Sequence, residues 1–369
     1  METIRFDDFI RLNRGFDLPD YKIEKGEYPV ITSTNIKAFH KEYKVEGPMV
    51  VTGRSGSLGK VQYIEGRCWP LNTSLYVKDY KGNFPRYVYY FLQMMHLEQY
   101  NAGAGVPTLN QNHLHSLKIK IHEKKLQQKI ASILSAYDRL IENNTRRIRL
   151  LEQMAENLYK EWFVRFRFPE HEKVEMVNGL PKGWERKELS DIADITYGYA
   201  FKSNKFCSDN SLNAVVRIRD IQNNSTETYT DESCDERYLI VRNALLIGMD
   251  GIFHMCLWNG ERAYLNQRVV MLNSKYNDMC NYLLYFAIRP QIKYWEQVIV
   301  GTTVAHLGDK HLKKIKVLIP DTNTLRLANK VIESAMKEIN DLQQQNQLLT
   351  RQRDLLLPRL MSGKLEVKS

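Results

Sequence analysis

The sequence predicts an α+β fold in which two related globular domains, each with a mixed, largely antiparallel sheet, are separated by two long helices that form an antiparallel coiled coil. Three observations lead to this prediction. Short runs of β-branched and aromatic residues alternate with turn residues, two long stretches have helical periodicity, and the whole pattern occurs twice. A chain of 369 residues is long enough for two or three domains with separate cores.

The repeat is clearest where GVPTLNQNHLHSLKIKI, residues 105–121, is aligned with TVAHLGDKHLKKIKVLI, residues 303–319. Upstream, PMVVTGRSGSLGKV aligns with NALLIGMDGIFHMC, and LNTSLYV from Leu71 aligns with LNQRVVM from Leu265. Duplication over this length indicates two copies of one structural unit. The aligned pairs include Leu109 and Leu307, Leu114 and Leu312, Lys118 and Lys316, Gly53 and Gly248, Gly56 and Gly251, Asp8 and Asp191, and Gly15 and Gly198.

The first globular domain is predicted over residues 1–121. Its runs YPVITST, PMVVTG and SLYVKD are typical of strands, and YVYYFLQMM is typical of a short helix. The second globular domain is predicted over residues 184–320, with strand runs LIVRNALLIG and QRVVML and the helical run NYLLYFAI.

The loop GRSGSLGKV in the first domain resembles a phosphate-binding loop but does not fit one. A Walker A loop has four residues between its glycines and a Ser or Thr after its lysine. Here five residues separate Gly53 from Gly59, and Val61 follows Lys60. Since the second copy keeps the first two glycines but has Met255 opposite Lys60, we expect the glycines to serve a backbone turn or a close approach.

Two long amphipathic helices are predicted over residues 122–163 and 321–357, because apolar residues recur there in three- and four-residue steps. Each would be roughly 50 to 60 Å long. Pro320 precedes the second helix and Pro358 follows it, and Asn144 and Asn346 are candidate register-setting positions in a paired coiled coil. Residues 164–183 form a charged linker and residues 358–369 a C-terminal tail.

The composition favours a polyanionic partner, with 53 Lys and Arg against 43 Asp and Glu and a formal net charge of +10. A basic protein without such a partner is the alternative. The five cysteines contain no C-x-x-C pair, and the histidines, His115 and His311 among them, have no metal-ligand spacing. No Walker A, H-E-x-x-H, nucleophile-elbow or amino-methylation motif is present, so we expect a non-catalytic chain with no cofactor. The acidic N-terminal segment does not resemble a secretory signal, so we expect a cytoplasmic protein without a membrane segment.

Four segments carry a resemblance to a known family: LPKGW at Leu180–Trp184, GYAFKS at Gly198–Ser203, GRSGSLGKV, and LLPRLMSGKLEV at Leu356–Val367. Together with the twofold repeat, they resemble the specificity subunit of type I restriction-modification enzymes over essentially the whole chain. One departure is that the first copy lacks LPKGW and starts almost directly at IRFDDFIRL.

The resemblance implies a DNA-recognition subunit. Each globular domain would be a target recognition domain that reads one half of an interrupted double-stranded DNA target. The helices would set the spacing and dock two modification (methyltransferase) subunits, which carry S-adenosylmethionine, and restriction subunits would supply ATP-driven translocation and cleavage. The alternatives are a non-catalytic coiled-coil scaffold and a nucleotide-binding enzyme that uses the Gly53 loop.

Candidate DNA contacts are polar and charged residues of the predicted loops, each of which could instead be ordinary surface charge. Arginine can bind guanine bidentately, asparagine and glutamine can bind adenine, and lysine neutralises phosphate. On the first long helix, Arg146, Arg147 and Arg149 could face DNA, a partner or solvent. The loop candidates are Arg14, Arg54, Ser55, Lys60, Thr108, Asn110 and Gln111 in the first domain, and Lys202, Ser203, Arg217, Arg219, Asp250, His306 and Lys310 in the second.

Overall fold

The computed structural model describes residues 1–299 and 305–367. Thr303 and Val304, which begin the second repeat segment quoted above, lie outside the described residues. The chain forms two compact units: unit 1 comprises Met1–Asn144 and Gln345–Ser369, and unit 2 comprises Thr145–Gln344. Both unit boundaries fall inside long helices, so each unit contains one part of each helix.

The helices and strands follow one another in the same order in the two repeats. The elements up to the first long helix are β1 (Glu2–Arg5), α1 (Phe6–Phe9), β2 (Arg11–Arg14), β3 (Lys25–Ile31), β4 (Ile36–His40), β5 (Met49–Gly53), β6 (Val61–Ile64), β7 (Trp69–Pro70), β8 (Ser74–Asp79), α2 (Pro85–Met94), α3 (Gln111–Ser116) and β9 (Lys118–Ile121). The first long helix is α4 (Lys124–Tyr159), which continues into a π-helical turn, Lys160–Val164. The remaining elements are β10 (Met176–Val177), β11 (Leu180–Pro181), β12 (Glu185–Glu188), α5 (Leu189–Ile192), β13 (Ala193–Tyr197), β14 (Asn213–Val216), β15 (Tyr229–Thr230), β16 (Leu245–Gly248), β17 (Met255–Leu257), β18 (Tyr264–Leu265), β19 (Val269–Ser274), α6 (Asn281–Val298), α7 (Asp309–Leu312), β20 (Lys316–Ile319) and α8 (Thr322–Met361).

Each unit contains a four-stranded antiparallel sheet with the same topology. The strand order is β2-β8-β5-β6 in unit 1 and β13-β19-β16-β17 in unit 2. Each unit also has a three-stranded sheet, β4-β3-β7 or β15-β14-β18, with one antiparallel and one parallel pair. The predicted duplication and the mixed, largely antiparallel sheets are confirmed.

The central strands are buried on both faces. Neighbouring residues point to opposite sides of the sheet, and each side packs against its own hydrophobic cluster. In β5, Val50 packs with the aromatic residues of α2, whereas Val51 packs with Ile31 and Tyr76 on the other face. The same alternation occurs in β16 of unit 2. The apolar runs that were predicted to be strands therefore lie between two hydrophobic layers.

A two-stranded antiparallel pair closes each repeat, β1 with β9 in unit 1 and β12 with β20 in unit 2. The first repeat forms this pair although it lacks LPKGW. In unit 2, LPKGW supplies β11 and also Trp184, whose ring contacts Phe163, Phe166 and Phe168. Leucines at the end of α8 and Val367 pack against the corresponding core of unit 1.

The long helices pair in antiparallel fashion inside each unit, as predicted. In unit 1, Arg353 Nη1 donates to Asp138 Oδ1 (2.8 Å), and Asn144 Nδ2 donates to Gln345 Oε1 (3.4 Å). Residues of increasing number on α4 thus contact residues of decreasing number on α8, as in an antiparallel pair. In unit 2, Arg147 forms an ion pair with Glu338, so this arginine is engaged between the helices.

The expected position of Pro358, after the second helix, is wrong. α8 continues through Pro358 to Met361. Proline has no N–H donor, so one helix hydrogen bond is not made there. Leu360 and Met361, which follow the proline, are buried in the core of unit 1, and this burial favours the additional turn.

Candidate nucleic-acid interface

The loop between β5 and β6 depends on three glycines. A Cβ on Gly53 would lie 2.0 Å from the carbonyl oxygen of Ser57, and Gly56 and Gly59 have φ values of +86° and +88°. The first position leaves no space for a side chain, and the other two have a left-handed backbone that favours glycine. The expected backbone role of these glycines is confirmed.

The amide groups of this loop bond to other segments of unit 1. Arg54 and Ser55 both donate their N–H to the carbonyl oxygen of Thr73 (2.8 and 3.1 Å), and Gly56 donates to Pro107 (2.9 Å). In a phosphate-binding loop, the corresponding amides point at the ligand. This use of the amides argues against the nucleotide-binding alternative.

A third segment completes the arrangement in unit 1. Leu109 donates its N–H to the carbonyl oxygen of Arg54 (2.8 Å), and Ser55 faces Thr108 in an antiparallel bridge. The fold therefore brings Arg54, Ser55, Thr73 and Thr108 to one place, although they come from three separate parts of the sequence.

Arg14 is connected to this place by a chain of polar contacts. Its Nη2 lies 3.7 Å from Asp17 Oδ1, and the same carboxylate accepts a hydrogen bond from Asn72 Nδ2. The carbonyl oxygen of Asn72 in turn accepts from Arg54 Nη1 (3.5 Å). Two predicted contacts, Arg14 and Arg54, thus lie on one connected polar surface.

The other unit 1 candidates lie beside this cluster. Asn110 Oδ1 accepts the N–H of Asn112 (2.9 Å) and so caps α3, and Gln111 is half-buried in the first turn of that helix. Lys60 is exposed just before β6, where its carbonyl oxygen accepts from Thr52 Oγ1 (3.1 Å).

Unit 2 repeats the arrangement of the three segments with the same principal backbone bonds. Met249 donates its N–H to Arg268 (3.0 Å), Leu307 donates to Met249 (2.8 Å), and Asp250 faces His306 in an antiparallel bridge. Gly251 also donates to the carbonyl oxygen of Ala305 (2.9 Å), as Gly56 does to Pro107. The positions of Ser55, Thr73 and Thr108 in unit 1 correspond to Asp250, Arg268 and His306 in unit 2.

These three side chains interact in unit 2. His306 Nδ1 lies 2.6 Å from Asp250 Oδ1, and Arg268 Nε lies 3.4 Å from Asp250 Oδ2. We call this set the Asp250 cluster. Two of its members, Asp250 and His306, were predicted from the sequence, but Arg268 was not.

Arg268 was missed because the alignment of LNTSLYV with LNQRVVM from Leu265 is wrong by one residue. It places Arg268 opposite Ser74, which is buried in β8. In the sheets, Gly53 pairs with Ser74 and Gly248 with Val269, so Arg268 corresponds to Thr73. A slip of one residue exchanges the two faces of a strand. Keeping the offset of the glycine-loop alignment, in which Gly53 matches Gly248, would have placed Arg268 opposite Thr73.

A second turn packs against the start of the glycine loop in each unit. In unit 1, Ser33 Oγ donates to the carbonyl oxygens of both Ser55 (3.0 Å) and Thr73 (2.8 Å). In unit 2, a Cβ on Gly248 would lie 3.1 Å from Ile218 Cγ2. The turns at residues 32–35 and 217–220 are therefore equivalent parts of the candidate interface.

Sequence reasoning identified Arg217 and Arg219 on the unit 2 turn but missed Thr32, Thr34 and Asn35 on the unit 1 turn. The available signal was the match of ITSTNIK to VRIRDIQ, which aligns the apolar residues on both sides of the turn. Polar residues without charge gave no other indication of a surface role.

The unit 2 turn lies close to the predicted contacts that precede it in the sequence. The Arg217 guanidinium carbon lies 5.3 Å from the ring centre of Phe206, just after the turn that contains Ser203. Lys202 donates its N–H to Glu232 Oε2 (3.1 Å). Arg219 Nη2 donates to Thr228 Oγ1 (3.0 Å), so this arginine is partly engaged inside unit 2.

Two histidines near the interface have structural roles. His115 Nε2 accepts the N–H of Leu12 (3.0 Å), and His311 Nδ1 accepts the N–H of Gly308 (3.0 Å). Burial lowers the pKa of both, and for His311 the nearby charges of Lys310 and Lys314 lower the pKa further. Lys310 itself is exposed on α7.

Within residues 1–299 and 305–367, no group of three or more His, Cys, Asp or Glu side chains is placed to hold a metal ion. Over the same residues, no helix has the length and apolar character needed to span a membrane.

Comparisons with known proteins show which family the chain resembles. The family model for the type I restriction modification DNA specificity domain matches residues 1–153 and 181–351. The type I restriction enzyme MjaIX specificity subunit of Methanocaldococcus jannaschii is 26% identical over 381 residues, which covers 95% of this chain and 86% of that protein. The MjaVIII specificity subunit of the same organism is 22% identical over 406 residues, covering 100% and 93%.

A solved structure has the same fold. The crystal structure of the type I restriction-modification S subunit from M. genitalium matches with a TM-score of 0.68 at 16% identity, covering 100% of this chain and 96% of that one. Since the family match extends over both repeats, the chain belongs to the type I restriction-modification DNA specificity family.

Proposed function

We propose that this chain is the DNA-recognition subunit of a type I restriction-modification complex, and that each unit reads one half of an interrupted target. The duplicated interface carries the proposal. The same backbone bonds join the same three segments in both units, yet the side chains differ. Similar frames with different side chains suit two different half-sites.

Two groups of side chains at the candidate interface have distinct proposed roles. Arg54 and Arg217 have the planar fork that binds guanine bidentately, so we assign them to base reading. The exposed Lys60, Lys202 and Lys310 suit phosphate oxygens, which position a protein on DNA without reading its sequence. The remaining proposed contacts are Arg14, Ser55, Thr108, Asn110, Gln111, Ser203, Arg219 and His306; the predicted Asp250 is instead engaged by His306 and Arg268.

The long helices dock two modification subunits and set the distance between the half-sites in this proposal. Exposed apolar residues on both helices support the docking role, because association would remove them from water. These are Leu140, Leu150 and Met154 on α4, and Leu327, Val331, Leu348 and Leu355 on α8. The modification and restriction subunits supply the methyl-transfer and ATP-driven chemistry, while this chain supplies recognition.

Direct sequencing of methylated bases in the genome tests the proposal. Cells with the gene intact, deleted and restored on a plasmid are compared. The expected result is a two-part motif with a gap of unspecified bases, methylated in the intact and restored strains and unmethylated in the deletion strain. If a motif of this kind persists after deletion, another chain determines it and the proposal is wrong.

Binding measurements separate recognition from a scaffold with an incidental basic charge. The purified complex is titrated with DNA that contains the motif and with DNA in which both half-sites are scrambled. A sequence-specific DNA-binding protein binds its target about 1,000-fold or more tightly than it binds non-specific DNA. Equal affinity for both DNAs would identify a scaffold.

A further inference from the structure

The Asp250 cluster places a carboxylate between an imidazole and a guanidinium group at the surface of unit 2. Asp250 Oδ1 contacts His306 Nδ1 at 2.6 Å, and Asp250 Oδ2 contacts Arg268 Nε at 3.4 Å. Each carboxylate oxygen therefore has a partner within the protein. An aspartate held in this way is poorly suited to accept a hydrogen bond from a DNA base, because a base would have to compete with both partners.

Arg268 presents a different part of its guanidinium group to the surroundings. Its Nε faces Asp250, and 56% of the side chain is exposed, compared with 26% for Asp250. The Nη groups lie on the edge of the guanidinium that can pair with guanine O6 and N7. A carboxylate at Nε restricts the rotation of the guanidinium and so lowers the entropy that is lost on binding.

The backbone around the cluster is fixed by hydrogen bonds from three segments. Met249 and Leu307 connect the glycine loop to the other two segments, as described above. The equivalent positions in unit 1, Ser55, Thr73 and Thr108, carry three hydroxyl groups and no charge. The same frame thus holds charged side chains in one unit and neutral side chains in the other.

We propose that Arg268 is a specificity-determining residue that recognises one guanine in the half-site read by unit 2, and that Asp250 is its positioning residue. The inference rests on the proposed function. His306 occupies the second oxygen of Asp250 and holds the carboxylate towards Arg268. The difference between Thr73 and Arg268 then contributes to the different base preferences of the two units.

The test uses the complete chain in complex with its modification subunits. Affinity is measured for a panel of DNA duplexes in which each position of the wild-type target is changed to every other base. For Arg268→Ala, we expect discrimination to fall roughly 10- to 100-fold at one G·C position of one half-site. Discrimination at all other positions should remain, even if overall affinity falls.

Three further variants separate positioning from simple loss of charge. Asp250→Asn keeps an isosteric side chain but removes the anion, and we expect a smaller loss at the same G·C position. The double variant should lose no more than Arg268→Ala alone, because Asp250 acts through Arg268. Arg268→Lys keeps the charge without the planar fork and should also lose discrimination there.

Arg186→Ala is the control, since Arg186 is an exposed arginine of the same unit on β12. It should leave every base preference unchanged. The inference is overturned if Arg268→Ala keeps the guanine preference, if it weakens all targets uniformly as loss of a phosphate contact would, or if Asp250→Asn adds its effect to that of Arg268→Ala. Absence of any base preference in the wild-type complex would instead contradict the proposed function.

Discussion

Arg54 and Met249 occupy equivalent backbone positions in the two units. Arg54 donates its N–H to the carbonyl oxygen of Thr73, just before β8, and Met249 donates to that of Arg268, just before β19. Each also accepts the N–H of a buried leucine, Leu109 or Leu307. A cationic and an apolar side chain are both compatible with this frame because the backbone bonds hold the loop. The partly exposed Arg54 is therefore available for recognition, whereas Met249 is buried in the hydrophobic core of unit 2.

We expect Arg54→Ala to reduce base discrimination in one half-site by about 1–3 kcal/mol, because a bidentate contact to guanine is lost. The measurement is the affinity of the assembled complex for its target and for targets with single base changes. Arg67→Ala is the matched control in unit 1, since the exposed Arg67 is paired with Glu46 at 3.1 Å. Unchanged affinity and target preference for Arg54→Ala would remove it from the interface.

Gly15 and Gly198 are equivalent glycines at which backbone packs against backbone. A Cβ on Gly15 would lie 2.2 Å from the carbonyl oxygen of Leu71, and one on Gly198 would lie 2.0 Å from that of Asn266. We expect Gly15→Ala to lower the free energy of unfolding by about 1–3 kcal/mol, through forced displacement of the backbone. Denaturant unfolding provides the measurement.

Gly66→Ala serves as the control for this prediction. A Cβ at Gly66 would meet no atom within 4 Å, and its φ is not positive. Its effect should stay within about 0.5 kcal/mol. Equal stabilities of the two alanine variants would contradict the packing described at Gly15.

Residues that are identical in the two repeats could be predicted from the sequence. Site residues whose type differs between the repeats were harder to predict. The glycines recur in both repeats, whereas Arg54 and Thr108, which align with Met249 and His306, were predicted as polar residues of the aligned loops. Arg268 was hidden by a one-residue slip between identical LN letters, and the turn at residues 32–35 by its lack of charge. The contact of Asp17 with Asn72 joins distant loops, and no local pattern encodes it.

At the level of elements, a polar network connects α2, α4 and α8 within unit 1. Tyr90, which is buried, donates its hydroxyl to Asp138 Oδ2, and Arg353 Nη1 donates to Asp138 Oδ1 (2.8 Å). Burial and the neighbouring carboxylate raise the pKa of Tyr90, so the phenol stays protonated as a donor. One carboxylate therefore holds side chains from two other helices.

We expect Asp138→Ala to lower the free energy of unfolding by about 1–3 kcal/mol, because the buried Tyr90 hydroxyl and the half-buried Arg353 Nη1 lose their shared acceptor. Arg147→Ala removes the other interhelical ion pair described above and is the control. The side chains of Arg147 and Glu338 are 53% and 45% exposed, compared with 26% and 19% for Arg353 and Asp138. A solvent-exposed pair contributes under about 1 kcal/mol. Equal losses in the two variants would contradict the special role of Asp138.

Element types were predicted more reliably than element ends. The long amphipathic stretches and the short helices YVYYFLQMM and NYLLYFAI are helical in the structure. The end of α8 was misplaced because local proline chemistry was weighed without the burial of the residues that follow it. Pairing of β1 with β9 likewise depends on residues far apart in the sequence.

For the whole molecule, the proposed spacing role of the helices gives a length prediction. Seven residues are inserted after Asn144 in α4 and seven after Gln344 in α8, at the two unit boundaries. Each insertion preserves the heptad pattern and adds about 10.5 Å of helix, the length of about three base pairs. We expect the methylated motif to keep both half-sites and to gain about three base pairs in its gap.

The control insertion places seven Gly and Ser residues in the linker after Lys173, outside both helices. The gap should then be unchanged. A helix insertion that alters a half-site but leaves the gap constant would contradict the spacing role.

The most direct measurement of the central claim, that two units read two half-sites independently, is the methylated motif of a domain exchange. Residues 184–320 are replaced by the corresponding domain of a family member with a different target, and methylated bases are sequenced directly. The account predicts that one half-site changes to that of the donor, while the other half-site and the gap stay the same. A motif in which both half-sites change, or in which neither changes while methylation continues, would contradict it.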